Sequence, residues 1–484
     1  MMAMREGAPW CRHGAVEVVR ALREGRVTSL ELIREAKRRI EAVDGLVNAI
    51  PTTCFARAEE RAQRLRHPTN PPRGYLWGLP VVIKDTLAVE GVRFTLGSLL
   101  HEHDVADRDD PVVQVLEEKG AIVIGKTNTP EFGLGSNTYN KVFGETVNPF
   151  DTSLTAGGSS GGAAAALASG TAWLAIGTDL GGSLRIPAAF CSVVGMRPTP
   201  GLVPNAGSRS AERDNLHSIV GPMARSVGDL ALLLDAIAEP HEEDANCRGH
   251  VGGESYSAAL EGHAGRMPGR VAWSADLGGA VPVEPRVVEV CESAARMLAA
   301  ASGADLVDGA CMDLSRAREV FHVLRAETFK DKAAILRHAD KVKPEMVWQI
   351  EQGLELSEAD VARARKGHRQ LLLSTADFFA NTADILCCPC TMVPPFDVKT
   401  RWLRECEGWE LRSYIDWLMP TSVLSLTNCP SMSVPCGFTL DGLPLGLQLV
   451  APPGRESELL CAALVLENAL GILGRVPVDP RPTG

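Results

Sequence analysis

Residues 156–170 read AGGSSGGAAAALASG, and residues 177–187 read GTDLGGSLRIP. The alanine run is a good helix former, and Gly170 is placed to end it. TAWLAI (171–176) then predicts a buried strand running into the second glycine turn. One serine-bearing glycine turn therefore precedes a helix, and another follows a strand. Dense glycine lets backbone N–H groups converge on one point, and converging N–H groups stabilise the oxyanion of acyl transfer. Ser183, which closes DLGGS, is the serine whose hydroxyl belongs beside such a hole. A tightly packed glycine turn explains a single Gly-Gly-Ser equally well. Two such turns on one helix–strand unit favour the chemical reading, and spacing alone leaves both open.

A serine nucleophile needs a base. None of the eleven histidines lies near these turns in sequence. The other candidate is Lys84, at the end of the apolar strand predicted over LPVVIKD (79–85). A lysine in that position loses its proton readily, because desolvation disfavours the charged form. An ordinary surface lysine at a strand end is the alternative. GGSSG also satisfies G-x-S-x-G with Ser159 or Ser160 in the serine slot, but that elbow requires a strand directly before it. The preceding NPFDTSLTA (148–156) reads as a loop.

GAIVIGKT (120–127) fits the phosphate-loop pattern G-x-x-x-x-G-K-[ST]. Its surroundings do not. In DDPVVQVLEEKG (109–120), Asp110 is an N-cap candidate, Pro111 takes the first helical position, and Gly120 falls where a helix-ending glycine belongs. The four residues between the glycines are strand formers. The match therefore reads as a helix cap, a buried strand and a turn, with no nucleotide implied.

Strand and helix signals alternate outward from this centre. TSLELIREAKRRIEAVDG (28–45) has capping-box spacing at Thr28 and Glu31 and an apolar face, with Gly45 expected after its end. Residues 65–78 are a Pro-rich loop. VGDLALLLDAI (227–237) is an amphipathic helix, 239–256 a polar exposed loop, and 310–380 helical and charged. SMSVPCGFTLDGLPLGLQLVAP (431–452) predicts two strands joined through Asp441-Gly442. ESELLCAALVLENALG (456–471) closes the chain as a helix. No composition break or repeat divides it, so one large α/β domain is expected.

The 484 residues are 45% hydrophobic and 23% charged, an ordinary globular composition. A net charge of −11 argues against nucleic acid or an anionic membrane as the main partner. The N-terminus lacks a long apolar signal core, and no run is long enough to span a bilayer. The thirteen cysteines are odd in number and irregularly spaced, which predicts a reduced, cytoplasmic protein. Cys387-Cys388-Pro389-Cys390 contains C-x-x-C but extends an apolar strand with no second ligand pair beside it. His101-Glu102-His103 lacks the i,i+4 spacing of a zinc protease.

AGGSSGGAAAALASG followed by GTDLGGSLRIPAAFCSVVGMRPT resembles the amidase signature family of serine hydrolases. GLPVVIKD, AIVIGKTNTPEF and SMSVPCGFTLDGLPLGLQLVAPP are similar to other stretches of that family. The likeness runs over about 10–475, with a core at 78–205 and 428–453. It implies a single large domain with a central mixed, twisted sheet covered by helices on both faces. It makes Ser183 the nucleophile, Ser159 a bridging serine joined to Gly158 by a cis peptide bond, and Lys84 the base. Backbone N–H groups of Leu180, Gly181, Gly182 and Ser183 would form the oxyanion hole, with Ser160, Thr178, Asp179 and Arg185 in support. The implied substrate is a small-molecule amide, with no metal and no organic cofactor. A homodimer is a family-level expectation. The variable region, about 200–425, would wall the pocket through 200–240 and 310–425. Trp402, Trp409, Tyr414 and Trp417 are candidates to line an acyl site, and core packing is the other use for them. LELSEADVARARKGHRQLLL (354–373) and WELRSYIDWLMP (409–420) resemble the subgroup that opens cyclic amides such as nylon oligomers. The competing readings are the glutaminase subunit of a tRNA-dependent amidotransferase, and a non-catalytic scaffold that keeps the fold.

Overall fold

The computed structural model describes residues 8–205, 218–250, 253–472 and 474–482. Eleven strands form one sheet: β1 (Thr52–Thr53), β2 (Pro80–Lys84), β3 (Ile122–Thr127), β4 (Leu174–Asp179), β5 (Val194–Arg197), β6 (Ile219–Ala224), β7 (Arg270–Trp273), β8 (Asp305–Asp308), β9 (Ile385–Pro389), β10 (Ser431–Phe438) and β11 (Pro444–Val450). Their spatial order is β1-β3-β2-β4-β6-β5-β10-β11-β9-β7-β8. β3, β2 and β4 run parallel, as do β9, β7 and β8. The strands between them pair antiparallel, so the sheet is mixed.

Strand side chains alternate between faces, and here both faces are buried. Val271 and Trp273 of β7 join one core and Ala272 the other; Ile385 and Cys387 of β9 divide from Leu386 and Cys388 in the same way. Helices Ser29–Val47, Gly161–Ser169, Val227–Ile237, Pro285–Ser302 and Glu456–Leu470 contribute to the first core. Helices Ala317–Glu327, Pro344–Glu355, Glu358–Asn381 and Met419–Ser425 build the second.

Most local expectations hold. Gly170 and Gly471 end their helices in the left-handed region, and Gly120 follows Pro111–Glu118 at φ +78°. Four differ. The first long helix runs through Gly45 to Val47 and is closed by left-handed Asn48 (φ 56°), whose amide Nδ2 bonds Phe143 O and Glu145 O. Asp110 occupies its N-cap position, but its side chain accepts from Ala88 N–H instead of capping the helix. The stretch before the first glycine turn contains a strand, Asp151–Thr155, in place of the expected loop. It belongs to a two-stranded ribbon with Val147–Asn148, outside the central sheet, so the nucleophile-elbow setting is still missing. Residues 239–250 and 253–255 form the expected loop, yet Asp244 and Cys247 within it are buried.

Candidate active site

The register of the parallel strands brings the site together. β2 pairs with β4 through Val82↔Ala175 and Ile83↔Ile176. The next residue of β2, Lys84, therefore lies beside the end of β4. Its Nζ is 2.6 Å from Ser159 Oγ and 2.9 Å from Thr178 Oγ1. Lys84 is fully buried. Burial brings its pKa down to about 7, and the negative charge of Asp179 opposes that shift only in part. A neutral amine is thus accessible near neutral pH, and in that form it can accept a proton.

Ser159 follows a cis peptide bond from Gly158. Its neighbour Ser160 precedes helix Gly161–Ser169 and ties the two turns together. Ser160 N–H donates to Ser183 O at 3.1 Å, and Ser160 Oγ to Thr178 O at 3.3 Å. The helix then passes close under β3. A Cβ on Gly162 would stand 2.4 Å from Asn128 N, so only glycine allows this approach.

The second turn is organised by Asp179, which is fully buried. Its Oδ1 accepts from Gly182 N–H at 2.8 Å and its Oδ2 from Leu184 N–H at 3.1 Å. Arg185 grips both carboxylate oxygens through Nη2 (2.9 Å) and Nε (3.0 Å). Burial alone would raise this carboxyl; the Arg185 charge and hydrogen bonds, with Arg197, hold it at about 2. Gly182 sits at φ +124°, where a Cβ would meet Thr421 Oγ1 at 2.0 Å.

These bonds correct one expectation. The N–H of Gly182 is committed to Asp179, so it does not point into a hole. The N–H groups of Leu180, Gly181 and Ser183 have no acceptor among the described residues. Of the four expected donors, three remain without an acceptor among the described residues.

Sequence reasoning missed Gln448 and Arg197. Gln448 on β11 takes Arg185 Nη1 at 2.7 Å, and Arg197 on β5 donates to the carbonyl of Asp179. A polar residue inside the apolar run PLGLQLV was the available signal, because a buried amide demands partners. Lys126, from the phosphate-loop lookalike, instead makes a buried ion pair with Asp85 at 2.8 Å. It lies within strand β3, not in a turn.

Ser159, Thr178 and Ser183 border one cavity of ≈ 730 Å³, with Phe132, Leu134, Leu180 and Phe329 as apolar walls. Trp402, Trp409, Tyr414 and Trp417 do not border it. Tyr414 and Trp417 are buried in the second core, Trp409 is 42% exposed, and the Trp402 ring stacks against the Arg404 guanidinium. Residues 206–217 of the expected pocket wall lie outside the described residues. Cys387-Cys388-Pro389 forms β9 and its sulfurs are buried. Among the described residues no three His, Cys, Asp or Glu side chains gather as a metal site, and no helix is long and apolar enough to cross a membrane.

The sequence model of the family described as Amidase matches residues 31–460. The chain is 34% identical over 501 residues to the A subunit of glutamyl-tRNA(Gln) amidotransferase from Anaeromyxobacter dehalogenans (strain 2CP-C), covering 98% of each protein. It is 35% identical over 479 residues to the same amidotransferase subunit from Thermus thermophilus, covering 94% of this chain and 97% of the relative. The structure of 6-aminohexanoate cyclic dimer hydrolase complexed with substrate superposes with a TM-score of 0.86 at 25% identity, covering 97% of this chain and 100% of the other.

Proposed function

The chain belongs to the amidase signature family, and from that premise we propose that it hydrolyses a small-molecule carboxylic amide through Lys84, Ser159 and Ser183. Neutral Lys84 takes the proton of Ser159, which takes that of Ser183. Ser183 Oγ attacks the amide carbonyl, and the N–H groups of Leu180, Gly181 and Ser183 hold the oxyanion. The proton returns through Ser159 to the leaving nitrogen, because an unprotonated amide anion is a prohibitive leaving group. Water then releases the acid from Ser183. Asp179, Arg185, Ser160 and Thr178 keep the two turns and the lysine in place. No metal or organic cofactor takes part. The unit of function is residues 10–475, with chemistry in 78–205 and 428–453 and substrate walls in 200–425, acting in the cytoplasm as a homodimer.

One observation carries this reading: a fully buried lysine 2.6 Å from a serine hydroxyl, with a pKa near 7. A scaffold that had lost catalysis has no use for so expensive an arrangement. The test is amine or ammonia release from linear, aryl and cyclic amides by the purified chain and by Ser183→Ala. We expect hydrolysis by the wild type and none by the variant, with both forms melting alike. Activity that survives in Ser183→Ala would assign the nucleophile elsewhere.

A second reading is favoured by the relatives named as amidotransferase subunits. In it the chain is a glutaminase subunit that works inside an assembly. Turnover of simple amides by the isolated chain separates the two: efficient release without a partner rejects the assembly-dependent subunit.

A further inference from the structure

The cavity has a second chemical end. Arg325 borders it, and Arg325 is 6% exposed. Its Nε donates to Gln349 Oε1 at 3.2 Å and its Nη2 to the Tyr414 hydroxyl at 3.1 Å. The guanidinium carbon is 5.5 Å from the Phe329 ring centroid and 5.7 Å from that of Tyr414. No carboxylate among the described residues pairs with it. Glu345, on the helix that carries Gln349, lies near Tyr414 and keeps a buried Oε2 with no hydrogen-bond partner among the described residues; two other nearby acids are engaged elsewhere. Glu327 meets Arg365 at 3.2 Å, and Glu131 accepts from Ser98 Oγ and Lys343 N–H.

A guanidinium carries five N–H donors, and Nη1 has no acceptor among the described residues. A buried charge normally has a counter-ion, because desolvating it alone is costly. Fully buried Arg185 has one, whereas buried Arg225 is held by the carbonyl oxygens of Cys11 and His13. Arg325 has rings and neutral oxygens instead, and an open cavity in front of it. Its neighbours Lys330 and Lys332 border the same cavity, as do the acids Asp110, Glu327 and Asp331.

Position relates Arg325 to the second glycine turn. Arg325 is on helix Ala317–Glu327, one turn after Phe321. The Phe321 ring packs against Gly181 of the second glycine turn, where a Cβ would stand 2.8 Å from its Cζ. Arg325 therefore follows, four residues along the same helix, the residue whose ring packs on the second glycine turn. Apolar Leu180 and Phe329 border the same space.

We infer that Arg325 is a specificity residue that binds a carboxylate of the substrate. The preferred substrate is then an amide that also carries a free carboxylate. This rests on the amide-hydrolase reading above. A guanidinium whose Nη1 lacks an acceptor is suited to a charge-assisted hydrogen bond with a carboxylate.

The test measures binding apart from turnover. Calorimetry on Ser183→Ala compares monoamides of linear dicarboxylic acids with neutral alkyl amides of equal length. N-acyl amino acids form a third arm, placing the carboxylate on the amine side. We expect one carboxylate series to bind roughly tenfold or more tighter than the neutral series, as for a charge-assisted hydrogen bond. Adding Arg325→Met should erase that ratio, and Arg325→Lys should retain part of it. Equal affinities for charged and neutral amides in Ser183→Ala overturn the inference, whether or not Arg325→Met folds. A ratio that survives Arg325→Met also overturns it. Failure of the amidase reading registers separately, as absence of turnover of every amide by the wild type.

Discussion

Lys84 and Lys126 are the same residue type on adjacent parallel strands, and both are fully buried. Their surroundings differ in one respect. Lys126 has the Asp85 carboxylate at 2.8 Å, while Lys84 has only the hydroxyls of Ser159 and Thr178. The cause is the period of a strand. Ile83 pairs with Lys126 and Lys84 with Thr127. Lys84 therefore points to the face opposite Lys126, and Asp85, one residue on, returns to the Lys126 face. Three consecutive residues, Ile83-Lys84-Asp85, neutralise one lysine and leave the other without a partner charge. The partnered lysine is a structural ion; the unpartnered one is available as a base.

The largest test of this contrast is Lys84→Met, which keeps side-chain volume and removes the amine. Hydrolysis should fall by roughly 10²–10⁴-fold, the usual contribution of a positioned general base, while the melting temperature changes little. In the wild type, kcat/KM for an uncharged amide should rise with pH through about 7, where the buried amine loses its proton. The same depressed pKa acts on stability. Unfolded Lys84 keeps its proton up to its ordinary value of 10.5, so between about 7 and 10.5 the unfolded chain binds more protons, and stability rises with pH in that window. A rate profile flat from pH 5 to 9 would remove the base role.

Lys126→Met should act in the opposite manner. It strands the buried Asp85 carboxylate and should destabilise the fold by about 3–5 kcal/mol in urea titrations. Intact stability with lost activity would reverse the assignment of the two lysines.

Thr178→Val sharpens the contrast by a smaller step. It removes one of two hydroxyl acceptors that favour the charged amine. The acidic limb of the rate profile should move to lower pH, an effect of about 1 kcal/mol or less.

Glu467 extends the rule to acids. Burial pushes this carboxyl up to about 8, and its Oε1 accepts from Val227 N–H. Buried Asp179, gripped by Arg185, is held instead at about 2. Folded Glu467 therefore binds a proton that the unfolded chain loses near 4.5, and stability falls as pH rises from about 4.5 to 8. Glu467→Gln keeps the acceptor and should flatten that fall, with a gain on the order of 1 kcal/mol at pH 8. An unchanged pH–stability curve would show that Glu467 is not protonated in the folded state.

The elements nearest the chemistry were legible because their signals are local. The alanine helix closed by Gly170, the strand ending on Lys84 and the hairpin of β10 and β11 need only propensity, period and turn residues. Gly45 misled because a glycine can also sit inside a helix when a stronger stop follows. Asn48, fixed by two carbonyls of a segment about a hundred residues away, is that stop. Two uses stayed open for the four aromatic residues of the variable region, and packing is the one found for Tyr414 and Trp417, because residue type does not say which cavity a ring faces. Phe329, in the same region, borders the cavity, and Trp402, Trp409, Tyr414 and Trp417 do not.

By itself the sequence determined the alternation of strands and helices, the two serine-bearing turns and the three residues Lys84, Ser159 and Ser183 that the family resemblance singled out. These follow from short-range sterics and from motifs a few residues long. Tertiary structure decided the partners. It committed Gly182 N–H to Asp179, set Gln448 and Arg197 behind the second turn, gave Lys126 its carboxylate and left Lys84 and Arg325 without one. Which charge is neutralised depends on groups far apart in the chain, and only the packed sheet and helices bring them within hydrogen-bond distance.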